Sequence, residues 1–129
     1  MKHLLILMMV SLGTEGQQQA AVKSDCNHIA LAAAVNAVRF LNTAEYSYKG
    51  KNGKFGELDA LKSSEQWKTT AERFPMLNSS GLAPGYDISL ITDAAGNKYT
   101  ISAKAIDNRC STNFFSDEKG LIFQGTPLQ

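Results

Sequence analysis

The distribution of apolar residues divides the chain into three parts. An apolar run covers residues 4–12. After a polar stretch, apolar residues recur every three or four positions, which is typical of one face of an α-helix. Beyond Pro84 the period shortens to two, which predicts half-buried strands. A helical half followed by a sheet-forming half is therefore expected.

The helical pattern predicts an amphipathic helix that begins at Ser24 or Asp25, either of which can cap it, and ends near Tyr48. At about 100° per residue, its apolar residues share one broad arc. They are Ala30, Leu31, Ala34, Val35, Ala37, Val38, Leu41 and Ala44. Such a helix has more than about five turns, which is long for a small domain.

The segment after this helix predicts a loop and two shorter helical pieces. Glycines in residues 49–53 end the long helix. Residues 57–61 are typical of a helical turn, and residues 64–74 of a second helix that a proline stops. Ser63 and Gln66 fit a capping box at the start of that helix.

Alternating apolar and polar positions predict strands at residues 86–91 and 99–105, joined by the turn-rich residues 93–97 as an antiparallel hairpin. Residues 121–123 predict a third strand, and residues 114–116 a short edge strand. The fold class is α+β: a long N-terminal amphipathic helix packed on a three- to four-stranded antiparallel sheet that covers its apolar arc.

The apolar run at the start predicts a secretory signal peptide. Lys2 and His3 precede it, and small and polar residues follow it. The run is too short for a permanent membrane anchor. We expect cleavage after Gly16, or as late as residue 21, and a periplasmic or secreted product without a stable membrane span. A buried helix of a cytosolic protein is the alternative interpretation.

These boundaries divide the chain into a signal peptide at residues 1–16, a flexible start at residues 17–24 and a single domain at residues 25–129. With 129 residues, 43% of them hydrophobic and 19% charged, the chain can build one core, which excludes a multidomain enzyme and a disordered tail. The formal net charge of +1 gives no general attraction to nucleic acid or anionic lipid.

The two cysteines, Cys26 and Cys110, are expected to form a disulfide, because thiols pair in an oxidising compartment. The closed loop of about 85 residues corresponds to a stabilisation of roughly 4 kcal/mol in chain-entropy terms. A metal site formed by Cys26 and His28 is the alternative, but two ligands without a second cluster are a weak signal.

The middle of the chain resembles a known family. Asn42 to Glu45 read Asn-Thr-Ala-Glu, Tyr48 follows, and Phe55 begins a Phe-Gly-x-Leu segment. Phe-Phe-Ser-Asp-Glu-x-Gly begins at Phe114. In order and spacing, these residues resemble bacterial type IV pilins and type II secretion major pseudopilins over about residues 30–124. The resemblance implies a pilin headgroup fold.

One departure from that family changes the expected function. Pilins retain an apolar N-terminal helix that anchors the subunit and packs the filament, and this sequence lacks an apolar segment of about 20 residues. We therefore expect an exported, soluble, non-catalytic protein with a structural or protein-interaction role. Its partners are expected to be pilus or type II secretion components. The alternative is a periplasmic ligand-binding module that uses residues 49–84.

Two polar residues on the long helix are candidates for a structural tie. Glu45 lies within the apolar arc, where a carboxylate needs donors. Backbone N–H groups near Gly53 and Gly56 can supply them, and Asn42 belongs to the same expected tie. A pocket acid at Glu45, or His28 acting as a base beside an aspartate, is the alternative for a small hydrolase. The sequence contains no nucleophile elbow or metalloprotease motif, so an enzyme is not expected.

Two further groups of residues suggest binding. Asp93, Asn97 and Asp117 can offer oxygen ligands, and the resemblance implies a calcium site in the strand region. Calcium needs six or more oxygens, and short acidic turns are commonly ordinary hairpin chemistry. Aromatic residues suggest either a sugar- or peptide-binding surface or part of the core. They are Tyr46, Tyr48, Phe55, Trp67 and Phe74.

Overall fold

The structure, a computed structural model, describes residues 28–75, 83–106 and 112–126. Three helices precede four strands in the described chain. They are α1 His28–Asn52, α2 Leu58–Lys62, α3 Glu65–Glu72, β1 Tyr86–Thr92, β2 Tyr99–Ala105, β3 Asn113–Asp117 and β4 Ile122–Gly125. The strands form one antiparallel sheet in the order β1-β2-β3-β4. The predicted α+β class, a long helix on an antiparallel sheet, is confirmed.

The long helix extends further than predicted. α1 continues through Gly50 to Asn52 and ends at Gly53, whose φ of 81° lies in the left-handed region that favours glycine. The Gly53 N–H donates to the Lys49 carbonyl at 2.7 Å. Lys49 and Lys51 lie in the last turn, where their positive charges interact favourably with the negative end of the helix dipole. The helix therefore accommodates one exposed glycine.

The predicted capping box of the second short helix is wrong. Ser64, and not Ser63, is the N-cap of α3, and its Oγ accepts a hydrogen bond from the Trp67 N–H at 3.2 Å. Ser63 instead ends α2, where its N–H donates to the Asp59 carbonyl at 3.2 Å. Because adjacent serines have similar capping propensities, the choice depends on where α2 stops.

The predicted edge strand at residues 114–116 is in fact internal. β3 lies between β2 and β4, pairing Ala103 with Phe114 on one side and Phe115 with Phe123 on the other. Side chains alternate across the sheet, so Phe114 and Ser116 face α1 while Phe115 faces away. The short apolar segment therefore contributes to both faces of a central strand.

The core lies between α1, the sheet and α3. Small and medium apolar residues of α1 are fully buried against the inward side chains of β2 and β3. Phe40, which lies outside the predicted arc, is buried on the α3 side. Its ring meets Trp67 edge to face with centroids 4.6 Å apart and Phe74 at 5.7 Å. Across the described residues, no helix has both the length and the apolar character needed to cross a bilayer.

Candidate functional site

Asn42 and Glu45 carry polar side chains into the buried face of α1. Asn42 is 8% exposed and Glu45 is fully buried. They lie three residues apart and therefore project from the same face of the helix. Each contacts a different part of the chain: Asn42 contacts the sheet, and Glu45 contacts the loop that follows α1.

Asn42 links α1 to three parts of the sheet through a chain of hydrogen bonds. The Tyr99 hydroxyl donates to Asn42 Oδ1 at 2.6 Å, and Asn42 Nδ2 donates to Ser116 Oγ at 2.9 Å. Ser116 Oγ in turn donates to the Leu121 carbonyl at 2.7 Å. Burial raises the pKa of Tyr99, which keeps its hydroxyl a donor. Buried polar groups joined in this way fix the position of the helix on the sheet.

Glu45 binds the loop that follows α1. Its Oε2 accepts a hydrogen bond from the Gly56 N–H at 3.2 Å. Its Oε1 has no hydrogen-bond partner among the described residues. The carboxyl group is therefore only half satisfied, which is costly for a buried charge.

Burial determines the protonation of Glu45. It raises the pKa of the carboxyl group from its usual 4.5 to about 7, and the Gly56 N–H, which favours the carboxylate, opposes this shift. The side chain thus titrates near neutrality. A pKa in this range is common in catalytic acids, but a group with no exposed surface cannot meet a substrate without a local opening.

The loop around Gly56 is also held by the β1–β2 hairpin. The Phe55 N–H donates to the Gly96 carbonyl at 2.8 Å, and the Thr92 hydroxyl donates to the Gly56 carbonyl at 2.8 Å. A Cβ atom on Gly56 would lie only 2.7 Å from the Tyr48 ring. A larger residue at this position would therefore force the Tyr48 ring to move.

The five aromatic residues that suggested a binding surface do not form one. Trp67 and Phe74 pack on Phe40 of α1, whereas Phe55 is buried at the other end of the helix and meets Tyr99 edge to face at 4.7 Å. Tyr46 is half exposed, and its hydroxyl donates to the Glu118 carbonyl. Two separate aromatic clusters therefore reinforce the core.

Two shallow grooves lie beside the Gly56 loop and share Glu57 and Thr92. One, of about 210 Å³, lies between the loop and the hairpin turn and is lined by Lys54 and Asp93 among others. The second, of about 290 Å³, lies between the start of α2 and the outer part of β1. Both are open to solvent and fall within or beside residues 49–84, the region of the predicted ligand-binding alternative.

The three calcium candidates occupy turns. Asp93 Oδ1 accepts hydrogen bonds from the Asn97 and Lys98 N–H groups at 2.7 and 3.2 Å. Asp117 Oδ1 accepts one from the Lys119 N–H at 2.9 Å. These are the side-chain-to-backbone bonds of ordinary acidic turns. Among the described residues, no three His, Cys, Asp or Glu side chains are grouped to hold a metal ion.

The sheet carries an apolar patch on its outer face, the face turned away from α1. Phe115 and Phe123 are direct neighbours across β3 and β4 and are 38% and 55% exposed. Leu121, which precedes β4, is 59% exposed. We call these three residues the outer patch. The sequence shows the alternation that turns Phe115 outward, but only the pairing with β4 brings Phe123 beside it.

Several predicted site residues cannot be compared with the structure. Cys26, Cys110 and the predicted signal peptide at residues 1–16 lie outside the described residues, as does the His28 side chain. Sequence reasoning missed Tyr99, Ser116 and Thr92 as partners of the helix and its loop. The available signal is a polar group at an inward strand position, which Ser116 shows beside the buried Phe114.

Comparison of the chain with protein-family models, with curated proteins and with solved structures finds no match.

Proposed function

We propose that this chain is an exported, non-catalytic, pilin-like protein that acts by binding another protein through its outer patch. Outward positions of a one-sided sheet are normally polar. Here Phe115, Leu121 and Phe123 are 38%, 59% and 55% exposed and lie together at the β3–β4 side. Contiguous exposed apolar side chains are characteristic of interaction surfaces. This patch is the observation that carries the proposal.

The proposed partner class is a component of a pilus or type II secretion assembly, or another envelope protein. The order of one long helix and a strand meander supports a headgroup-like role, as does the hydrogen bond from the Gly-rich loop to Glu45. A net charge of +1 gives little long-range steering, so recognition by shape and apolar contact is favoured over recognition by charge.

A non-catalytic role is supported by the state of the acidic candidates. Glu45 has no exposed surface, and its carboxylate is bound to the Gly56 N–H. Asp93 and Asp117 accept hydrogen bonds from their own turns. These hydrogen bonds favour a structural role for the three carboxylates, because moving the side chains would break the local structure that they hold.

Crosslinking and affinity capture from the native envelope test the outer patch. The wild-type chain is expected to recover pilus or secretion components, and a Phe115→Ser, Phe123→Ser double variant to recover at least about thirtyfold less. Each truncated aromatic at the centre of an interface removes about 1 kcal/mol or more of binding free energy. Circular dichroism establishes that the variant remains folded.

Ile106→Ser is the matched control, because Ile106 is 66% exposed but lies beyond the end of β2, away from β4. It is expected to recover the same proteins as the wild type. Equal recovery by the double variant, the control and the wild type contradicts the proposed surface.

A second candidate function is the binding of a small polar ligand in the groove of about 210 Å³ beside the Gly56 loop. Lys54, Glu57 and Asp93 give this groove charges of both signs. Ligand binding there is expected to perturb the amide resonances of Gly56 and Gly96, which line the groove, while leaving those of α3 unchanged.

A further inference from the structure

β1 is an edge strand whose outward main-chain groups can be identified from its register. The Asp93 N–H donates to the Lys98 carbonyl and the Ile106 N–H to the Gly85 carbonyl. These bonds lie at the two ends of the β1–β2 ladder and fix its phase, so odd-numbered residues of β1 bond to β2. The N–H and C=O groups of Ile88 and Leu90 therefore point away from the sheet.

These outward groups are unpaired within the described residues. No donor or acceptor there bonds the outward main chain of Ile88 or Leu90, whereas the Tyr86 N–H at the start of β1 donates to Ala83. From Ile88 to Thr92 the free edge is about 13 Å long. An exposed strand edge of this kind is a template for pairing with another extended segment.

The edge forms one side of the groove of about 290 Å³, and the start of α2 forms the other. Leu90 of the edge and Leu58 of α2 supply part of the lining of this groove. The Thr92 hydroxyl bonds the Gly56 carbonyl at 2.8 Å, which fixes the loop leading into α2. A groove whose sides are held in this way is preorganised, which lowers the ordering cost of binding.

The charged side chains that line the groove are acidic. Glu57 and Asp59 line it, and no Lys or Arg does. Both side chains are exposed and form no ion pair with another described residue. The neighbouring groove adds one charge of each sign, from Asp93 and Lys54. A basic side chain on a bound segment would therefore meet two exposed carboxylates that have no ion-pair partner among the described residues.

We propose that the free edge of β1, together with Glu57 and Asp59, binds an extended peptide segment bearing lysine or arginine side chains as an added strand. Main-chain hydrogen bonds to Ile88 and Leu90 supply affinity, and the acidic wall selects basic side chains. This site is distinct from the outer patch, and it is expected to function whether or not that patch binds a protein.

A fluorescein-labelled, seven-residue peptide of alternating lysine and valine is the probe, titrated with the full mature chain and followed by anisotropy. The wild type is expected to bind it, and a Glu57→Gln, Asp59→Asn double variant to bind about tenfold more weakly at low salt, as for two exposed ion pairs. A Glu65→Gln, Glu72→Gln variant of exposed α3 residues is the matched control and is expected to retain wild-type affinity. The Phe115→Ser, Phe123→Ser variant is also expected to retain it, which separates this test from that of the outer patch.

Amide hydrogen exchange distinguishes strand addition from simple charge attraction. Saturating peptide is expected to slow exchange at Ile88 and Leu90 by about tenfold or more, while Ile91, whose amide already bonds β2, stays unchanged. Four results overturn the proposal: no binding at millimolar peptide, equal binding by the Glu57→Gln, Asp59→Asn variant, binding without slowing at Ile88 and Leu90, or slow exchange at both amides in the free chain. The last result would mean that another part of the chain already covers the edge.

Discussion

Glu45 shows how one residue can fix a loop at a cost to stability. Its carboxylate accepts the Gly56 N–H, yet its second oxygen has no partner among the described residues. Burial raises the pKa of the carboxyl group to about 7. A protonated Glu45 avoids a buried charge, whereas an ionised one must be stabilised by a single amide. The fold therefore depends on pH at this position.

We expect the free energy of unfolding to fall as pH rises from about 4.5 to about 7, by at most about 3 kcal/mol from Glu45. In this window the unfolded chain releases the proton that the folded chain retains, so the folded state binds more protons and rising pH favours unfolding. Below the window both states are protonated, and above it both are ionised and the loss is complete. Urea unfolding at intervals from pH 4 to 8 measures the slope.

Glu45→Gln removes the titrating group while keeping an oxygen that can accept the Gly56 N–H. The difference in free energy of unfolding between the wild type and the variant should therefore change across the same pH window. The variant should become more stable relative to the wild type toward pH 8. Glu57→Gln, at an exposed position, is the control and should show the same dependence of the free energy of unfolding on pH as the wild type. If the free energies of unfolding of the wild type and Glu45→Gln changed in parallel with pH, Glu45 would not be the source of the pH dependence.

At the scale of elements, the spacing of apolar residues correctly predicted the long helix and the first two strands. The helical arc of α1 and the alternation of β1 and β2 identify these elements because each repeats over several residues. The position of β3 was not predictable, because a segment of five residues with two phenylalanines fits an edge and a centre equally well. The predicted cap at Ser63 was wrong for a related reason: the end of α2 determines which serine is free to cap α3.

The polar contacts of the site join residues that are far apart in the sequence. Glu45 is conspicuous in sequence as an acid within an apolar arc, and its partner Gly56 is 11 residues away. Tyr99 and Ser116, the partners of Asn42, are 57 and 74 residues away. Only the packing of α1 on the sheet brings Tyr99 and Ser116 to Asn42, so these two partners could not be identified from sequence. The Gly56 N–H, in the loop that directly follows the helix, could be expected as a donor to Glu45.

The C-terminal end of α1 offers a test of how the helix stops. Gly50→Ala is expected to raise the free energy of unfolding by about 1 kcal/mol, because Gly50 is helical, exposed and surrounded by open space. Gly53→Ala has equal space but a φ of 81°, so it is expected to lower stability by about 1 kcal/mol. Urea unfolding midpoints measure both. A shift of the same sign in the two variants would contradict the assigned helix end.

At the scale of the whole molecule, the direction of α1 bears on the two cysteines. Asn42 contacts Ser116, and Tyr46, one turn later, contacts Glu118. The helix thus advances in the same direction as β3, and its first residues lie toward the end of the sheet where β3 begins. Cys26 precedes the start of α1 by two residues, and Cys110 precedes Thr112 by two. Both therefore connect to described residues at the same end of the fold.

We expect the chain to be exported and Cys26 and Cys110 to form a disulfide in the oxidising compartment. Thiol titration of the denatured, unreduced protein should find no free thiol, and reduction should lower the free energy of unfolding by about 2–4 kcal/mol, because a long loop in the unfolded chain is released. Cys26→Ser and Cys110→Ser should each reproduce the reduced wild type, and the double variant should be no less stable than either single one. Reduction should leave the stability of the double variant unchanged, which separates loss of the bond from other effects of the reductant. Two reactive thiols in the native exported protein, or additive losses in the two single variants, would show that the cysteines act separately.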